Sequence, residues 1–268
     1  MALIDSFRRA ADSDIWHSFR SSPMTMAAAA VTVFIILAAF LAPLIALQNP
    51  FDPANLNLSD AMRPPKFFGG EWSFPMGSDD QGRDLYSAIL YGTRLSLEVG
   101  FAVVFFSMIL GIGLGLVAGY VGGTLDAIIM RIADVQLTFP AILIALLIDG
   151  VVRGVISVKR HEEIAVFVIV ASISLAFWVQ YARTVRGSVM VERNKEYVQA
   201  ARVIGLPRWL IMFRHVLPNV MGPVLVIATI NLGLAIITEA TLSFLGVGLP
   251  STQPSLGTLI RIGNEYLN

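Results

Sequence analysis

Few residues in this 268-residue chain have the types and spacing that chemistry needs. Its three histidines, His17, His161 and His215, form no HExxH pair and no Ser/His/Asp arrangement visible in the sequence. No GxxxxGK[ST] loop is present, so the chain lacks the usual backbone cradle for the phosphates of ATP. Asp79, Asp80 and Asp84 invite a calcium reading. An EF-hand needs alternating ligands and a Glu at its twelfth position, which counted from Asp79 is Leu90. Asp79 or Asp80 is therefore expected to cap a short outer-surface helix whose Leu85, Ala88, Ile89 and Gly92 share one face. Gly113, Gly115 and Ala118 mimic a dinucleotide fingerprint, but a continuous apolar run surrounds them where a strand and a helix N-terminus are required. The expectation is a chain that is not an enzyme and binds neither metal nor cofactor.

The remaining candidates are mechanical. Residues 196–219, EYVQAARVIGLPRWLIMFRHVLPN, are polar and basic between two long apolar segments. Gly205 is a natural helix stop and Pro207 suits a restart, which predicts helix, turn, helix. Arg208 and Arg214 are placed to meet acidic groups of a partner, with Trp209, Leu210, Met212 and Phe213 supplying apolar contact. A DNA-reading helix-turn-helix is excluded by the flanking membrane segments and by too few arginines to neutralise a phosphate backbone. Three charges lie at or near membrane depth, where an unpaired charge is costly. Arg131 and Asp134, three residues apart, are expected to pair at a boundary or to gate a pathway. Glu239 either lines a pathway or bonds across a helix interface. Gly111, Gly115 and Gly119 repeat every fourth residue, a stripe that lets another helix approach closely.

The elements that hold these residues follow from composition. The chain is 56% hydrophobic and 14% charged, with mean hydropathy +0.72, too little polar surface for an ordinary soluble domain. With no cysteine it has no disulfide, and its zero net charge argues against nucleic acid. Five segments have the roughly 20 apolar residues that a bilayer crossing needs: 24–47, 99–121, 127–148, 164–182 and 216–238. In lipid each must satisfy its own backbone hydrogen bonds, so the fold is expected to be an all-α polytopic helix bundle, with kinks at Pro140 and Pro223. Arg8, Arg9 and Arg20 precede the first span, whose length makes it an uncleaved anchor and not a signal peptide. Between Arg183 and His215 lie seven Lys and Arg against two acids, which places that loop and the N-terminus in the cytoplasm. Residues 48–97, with four bases and six acids, are then outside, while Arg153, Lys159 and Arg160 run against the rule. The resulting organisation is a tail over 1–23, an anchor over 24–47, a periplasmic segment over 48–97 and a core over 98–268.

Three stretches resemble one family. Gln199-Ala200-Ala201, Gly205 and His215-Val216-Leu217-Pro218 have the spacing of the EAA loop of ABC importer permeases, with Gln for the acid and His for an Ile. The ending His215 to Asn219 and the stretch Phe74 to Asp84, similar to "HPLGTDxxGRD", look like the dipeptide and oligopeptide branch. So do Leu242 to Gly246 and Pro254 to Gly257, where the family usually has Trp at Leu256.

The resemblance implies a type I ABC importer permease fold in a bacterial inner membrane, with a sixth span expected and absent from this sequence. It implies an ATPase-docking role for Glu196, Gln199, Ala200, Ala201, Arg202, Gly205, Leu206, Pro207, Arg208, His215, Leu217 and Pro218. The closest contacts are expected at Ala200, Ala201 and Gly205. The implied partners are a second, homologous permease, two cytoplasmic ATPases that carry the ATP and Mg, a periplasmic or lipid-anchored solute-binding protein, and membrane lipid. The implied action is import of peptides or similar solutes. An ATP-independent channel or secondary transporter is the competing class, expected to show ion or substrate coordination at broken helices near the midplane. A structural membrane protein is the third.

Overall fold

The computed structural model describes residues 14–52, 54, 56–250, 253 and 255–266. Arg8, Arg9 and Pro254 lie outside them. The chain divides into two units, one ending at Arg94 and one starting at Leu95. Among the described residues all the regular elements are helices.

In the first unit α1 (Asp14–Ser21) leads into α2 (Pro23–Phe40). Ser22 caps α2 by accepting from Thr25 N, and Pro23 occupies a first-turn position where its missing N–H costs nothing. Of the α2 residues only Ala39 is buried, so this span offers apolar side chains on every side, as a helix in lipid does. A single turn, α3 (Ala42–Ile45), ends it. The following segment is held by turns. Asp79 Oδ1 accepts from the N–H of Gln81 and of Arg83, and its Oδ2 pairs with Arg83 Nε at 2.6 Å. Gly82 has φ +76°, and a Cβ there would sit 2.3 Å from the Asn57 carbonyl oxygen.

The cap that follows is Asp84, neither Asp79 nor Asp80: its Oδ2 accepts from Ser87 N at 2.8 Å and Ser87 Oγ at 2.6 Å. From that cap α4 (Leu85–Val121) runs 37 residues without interruption. The separate short surface helix expected over Leu85 to Gly92 is therefore the first part of the second span. Nothing between Gly92 and Val99 breaks a helix, and a lone glycine there costs only about 1 kcal/mol.

In the second unit the expected third span is two helices, α5 (Gly123–Leu137) and α6 (Ala141–Val155), which meet at 92°. Pro140 lacks the N–H that the helix would use and pushes Phe139 out of the α region, so the predicted kink is a full break. α7 (Val158–Glu192) is the central element, with seventeen buried residues. The hairpin follows as α8 (Glu196–Val203) and α9 (Arg208–Ile211), then a π-helical turn over Met212–Val216, and α10 (Leu217–Phe244) continues through Pro223. α11 (Leu256–Glu265) closes the described chain, capped by Ser255. Among the described residues four helices are long and apolar enough to cross a membrane, or five if the bent pair counts as one.

The glycine stripe packs as its spacing predicts. A Cβ on Gly111 would lie 2.4 Å from Tyr181 Cβ, one on Gly115 2.4 Å from the Ala182 carbonyl oxygen, and one on Gly119 2.9 Å from that of Arg186. α4 and α7 thus touch backbone to backbone, and Leu116, Val185, Val189, Val220 and Val224 fill the space around the contact. A second cluster, including Val103, Ile173, Phe177, Ala235 and Leu242, occupies the other end.

Candidate docking hairpin

The hairpin is rooted in the bundle core. Val198, Ala201, Ile211, Met212 and Val216 are buried with Tyr181, Val185 and Val189 of α7 and with Val220 and Val224 of α10. Its turn has the bonding of a Schellman cap: Leu206 N donates to Ala201 O at 3.1 Å and Gly205 N to Arg202 O at 3.0 Å. Gly205 adopts φ +84°, which any side chain would strain, and Pro207 N-caps α9 in extended conformation.

Tyr197 ties the two arms together. Its hydroxyl donates to the Glu192 carboxylate at the end of α7 and accepts from Asn219 Nδ2 at 3.1 Å in α10. Asn219 also donates to the His215 carbonyl at 2.7 Å, and Lys195 Nζ meets Glu192 at 2.9 Å. Burial and then the Glu192 carboxylate push the Tyr197 phenol up to about 12. Gln199 donates through Nε2 to Asn194 O at 2.9 Å, a bond that a carboxylate cannot make. Tyr197 and Glu192 carry no sequence pattern that singles them out, and the stretch ending at Asn219 does not reveal its partner; their link exists only once α7, α8 and α10 converge.

The outward face holds Glu196, Gln199, Ala200, Arg202, Gly205, Pro207, Arg208 and Pro218, all exposed. Beside them Val203 is 89% exposed, Ile204 76% and Trp209 63%, with Phe213 also exposed. Such an apolar patch rimmed by Arg202, Arg208 and Arg214 has the composition of a protein contact. Ala201 turns inward, so of the three small residues expected at the contact only Ala200 and Gly205 face out. Met212 is likewise buried, and Val203 and Ile204 take its place on the surface. Leu206, His215 and Leu217 are half-buried. Arg202 stacks over Tyr120 of α4, 5.3 Å from the ring centroid, above a cleft of about 420 Å³ that Arg208 and Ile211 also line.

The membrane-depth charges are placed differently from expectation. Asp134 pairs with Arg183 of α7 and not with Arg131, because α7 runs alongside α5 and brings its own guanidinium within reach. A second such bond joins the same two helices: Arg186 holds Asp126 bidentately, with Nη2 to Oδ2 at 2.7 Å. Gln136 accepts from Trp178 Nε1 at 2.8 Å and donates to the Leu175 carbonyl, so Asp126, Asp134 and Gln136 all fasten α5 to α7. Arg131 is exposed. Glu239 is fully buried and accepts from Ser96 Oγ at 2.9 Å and Ser243 Oγ at 2.7 Å. Those hydroxyls accept in turn from Leu256 N and Leu249 N, so the acid fastens α4, α10 and the segment leading to α11. Of its two sequence readings, the interface bond is the one the geometry contains.

Comparison with known proteins points one way. Residues 111–266 match the family model described as binding-protein-dependent transport system inner membrane component, and residues 13–65 match the N-terminal TM domain of oligopeptide transport permease C. The chain is 35% identical over 255 residues to the dipeptide transport system permease protein DppC of Haemophilus influenzae, covering 95% of this chain and 82% of that one. It is 34% identical to the oligopeptide transport system permease protein OppC of Bacillus subtilis, covering 93% and 76%. It is 35% identical to the glutathione transport system permease protein GsiD of Pectobacterium atrosepticum, covering 92% and 77%. An inward-facing structure of the MetNI methionine ABC transporter matches 68% of this chain and 82% of its own at 18% identity and TM-score 0.55, a likeness of fold.

Proposed function

The chain belongs to the family of binding-protein-dependent transport system inner membrane components, and from that premise we propose that it imports short peptides as one permease half of an ATP-driven complex. The observation that carries the reading is the hairpin: an exposed apolar and arginine-rimmed face whose roots lie in the same cluster as α7 and α10. A partner that pushes or pulls on this face moves both helices, since Tyr197 links their ends and Val198 and Ile211 are packed between them.

In this reading a second permease completes the pore, two cytoplasmic ATPases supply ATP and Mg, and a solute-binding protein delivers cargo outside. The hairpin and the N-terminus face the cytoplasm. ATP binding shifts the permease between inward-open and outward-open states because the ATPases contact the hairpin differently in each, as any ligand that moves a population must. Ala200, Gly205 and the exposed apolar side chains make that contact, while Ala201 and Leu206 hold the hairpin's shape.

The test is to purify the protein from its native membrane, identify what travels with it and assay ATP hydrolysis. Ala200→Trp is the informative variant, because Ala200 faces out and leaves the packing alone, whereas any substitution of Gly205 strains its turn. Stoichiometric ATPases that are lost or uncoupled in Ala200→Trp are the expected result. A solitary chain or homo-oligomer without ATPase overturns the reading.

A further inference from the structure

At the end of α7 remote from the hairpin, a corner with α6 gathers charge that the transport reading leaves unused. Asp149 is 3% exposed and engaged on both oxygens: Oδ2 accepts from Arg153 Nε at 2.6 Å, and Oδ1 lies 3.0 Å from His161 Nε2. The bond from Arg153 uses Nε, so the terminal nitrogens of this partly exposed side chain remain for another acceptor. Arg153 and His161 line a cavity of about 260 Å³ with Glu162, Leu249 and Arg261. Arg261 reaches it from α11. Its Nη1 meets Glu265 at 3.3 Å, and its Nε is buried without an acceptor. A guanidinium has five N–H donors, and a single contact at 3.3 Å leaves others of this fork for a further acceptor.

We propose that this cavity binds an anionic group, a carboxylate or a phosphate, held between the Arg153 and Arg261 guanidiniums. Two forked cations on one small cavity suit a planar or tetrahedral oxyanion better than point charges do. Arg153 and His161 engage both oxygens of Asp149, and among the described residues that line the cavity Glu162 is the acid. A carboxylate would come from the C-terminus of a short peptide, a source that rests on the import reading. A phosphate would come from a phospholipid headgroup, which does not. Because α7 rises about 50 Å over its 35 residues, this site and the hairpin are separated by nearly its whole length.

The protein, purified with whatever subunits accompany it and stripped of lipid, is titrated with dialanine, dialanine amide and dihexanoyl phosphatidylglycerol in a calorimeter. Either dialanine or the short lipid binds, and Arg261→Gln weakens that ligand about tenfold or more while Arg261→Lys recovers part of the loss. Arg261 is the side chain to change because its own contact with Glu265 is long, whereas removing Arg153 leaves buried Asp149 with His161 alone. Binding of dialanine without its amide assigns the carboxylate, and binding of the lipid alone assigns the headgroup. Absence of binding by all three, or equal binding by Arg261→Gln and Arg261→Lys as by the parent, overturns the proposal. No transport is read, so failure of the import reading leaves this result standing on its own.

Discussion

Glu239 shows how a single residue can be flagged by sequence and assigned only by structure. An acid among Ile236, Ile237 and Leu242 is conspicuous because burying it alone is costly. Its partners, Ser96 and Ser243, are 143 and 4 residues away, and the first is invisible to any local pattern. Leucine at this position strands two buried hydroxyls and is expected to lower stability by about 1–3 kcal/mol. Glutamine, which keeps an acceptor oxygen and adds a donor, is expected to cost less. Thermal unfolding of the detergent-solubilised protein checks the order, and a Glu239→Leu protein as stable as the parent would show that the network contributes nothing. The same limit explains Tyr197: a tyrosine in a polar loop has no signature, and its side-chain partners, Glu192 and Asn219, come from α7 and α10.

Among elements, helices were legible and their breaks less so. Apolar run length located every long helix because lipid leaves the backbone no other partner. Length did not say where α4 begins, since Asp84 and not the preceding aspartates has the geometry to cap it. Nor did it tell a kink from a break: Pro140 divides α5 from α6, while Pro223 sits within α10. The contact of α4 with α7 gives a sharp test, because neighbouring glycines differ in what surrounds them. Gly115→Val drives carbons into the Ala182 carbonyl and Val185, with an expected loss of about 1–3 kcal/mol. Gly113→Ala meets nothing within 4 Å and is expected to be neutral or stabilising by up to about 1 kcal/mol. Melting curves of the two variants should separate clearly, and equal behaviour would remove the packing role of the stripe.

For the whole molecule, topology is the quantity that links the hairpin to the anion cavity. α7 carries one at each end, so the import reading puts them on opposite sides of the membrane. The chain has no native cysteine, which makes single-cysteine labelling clean. In intact cells an impermeant maleimide should label Glu162→Cys and spare Ala200→Cys, and in inverted vesicles the pattern should reverse. Labelling of both from one side would overturn the orientation, which rests on a Lys and Arg bias that Arg153, Lys159 and Arg160 partly oppose.

Sequence by itself determined the membrane class, the all-α fold, the helix-turn-helix and the glycine stripe, because each follows from run length, turn chemistry or periodicity within one segment. Tertiary structure decided the pairings. Asp134 with Arg183, Asp126 with Arg186, Glu239 with Ser96, and the inward turn of Ala201 all depend on which helix lies beside which. A charge chooses its partner by distance in space, and distance along the chain does not encode it.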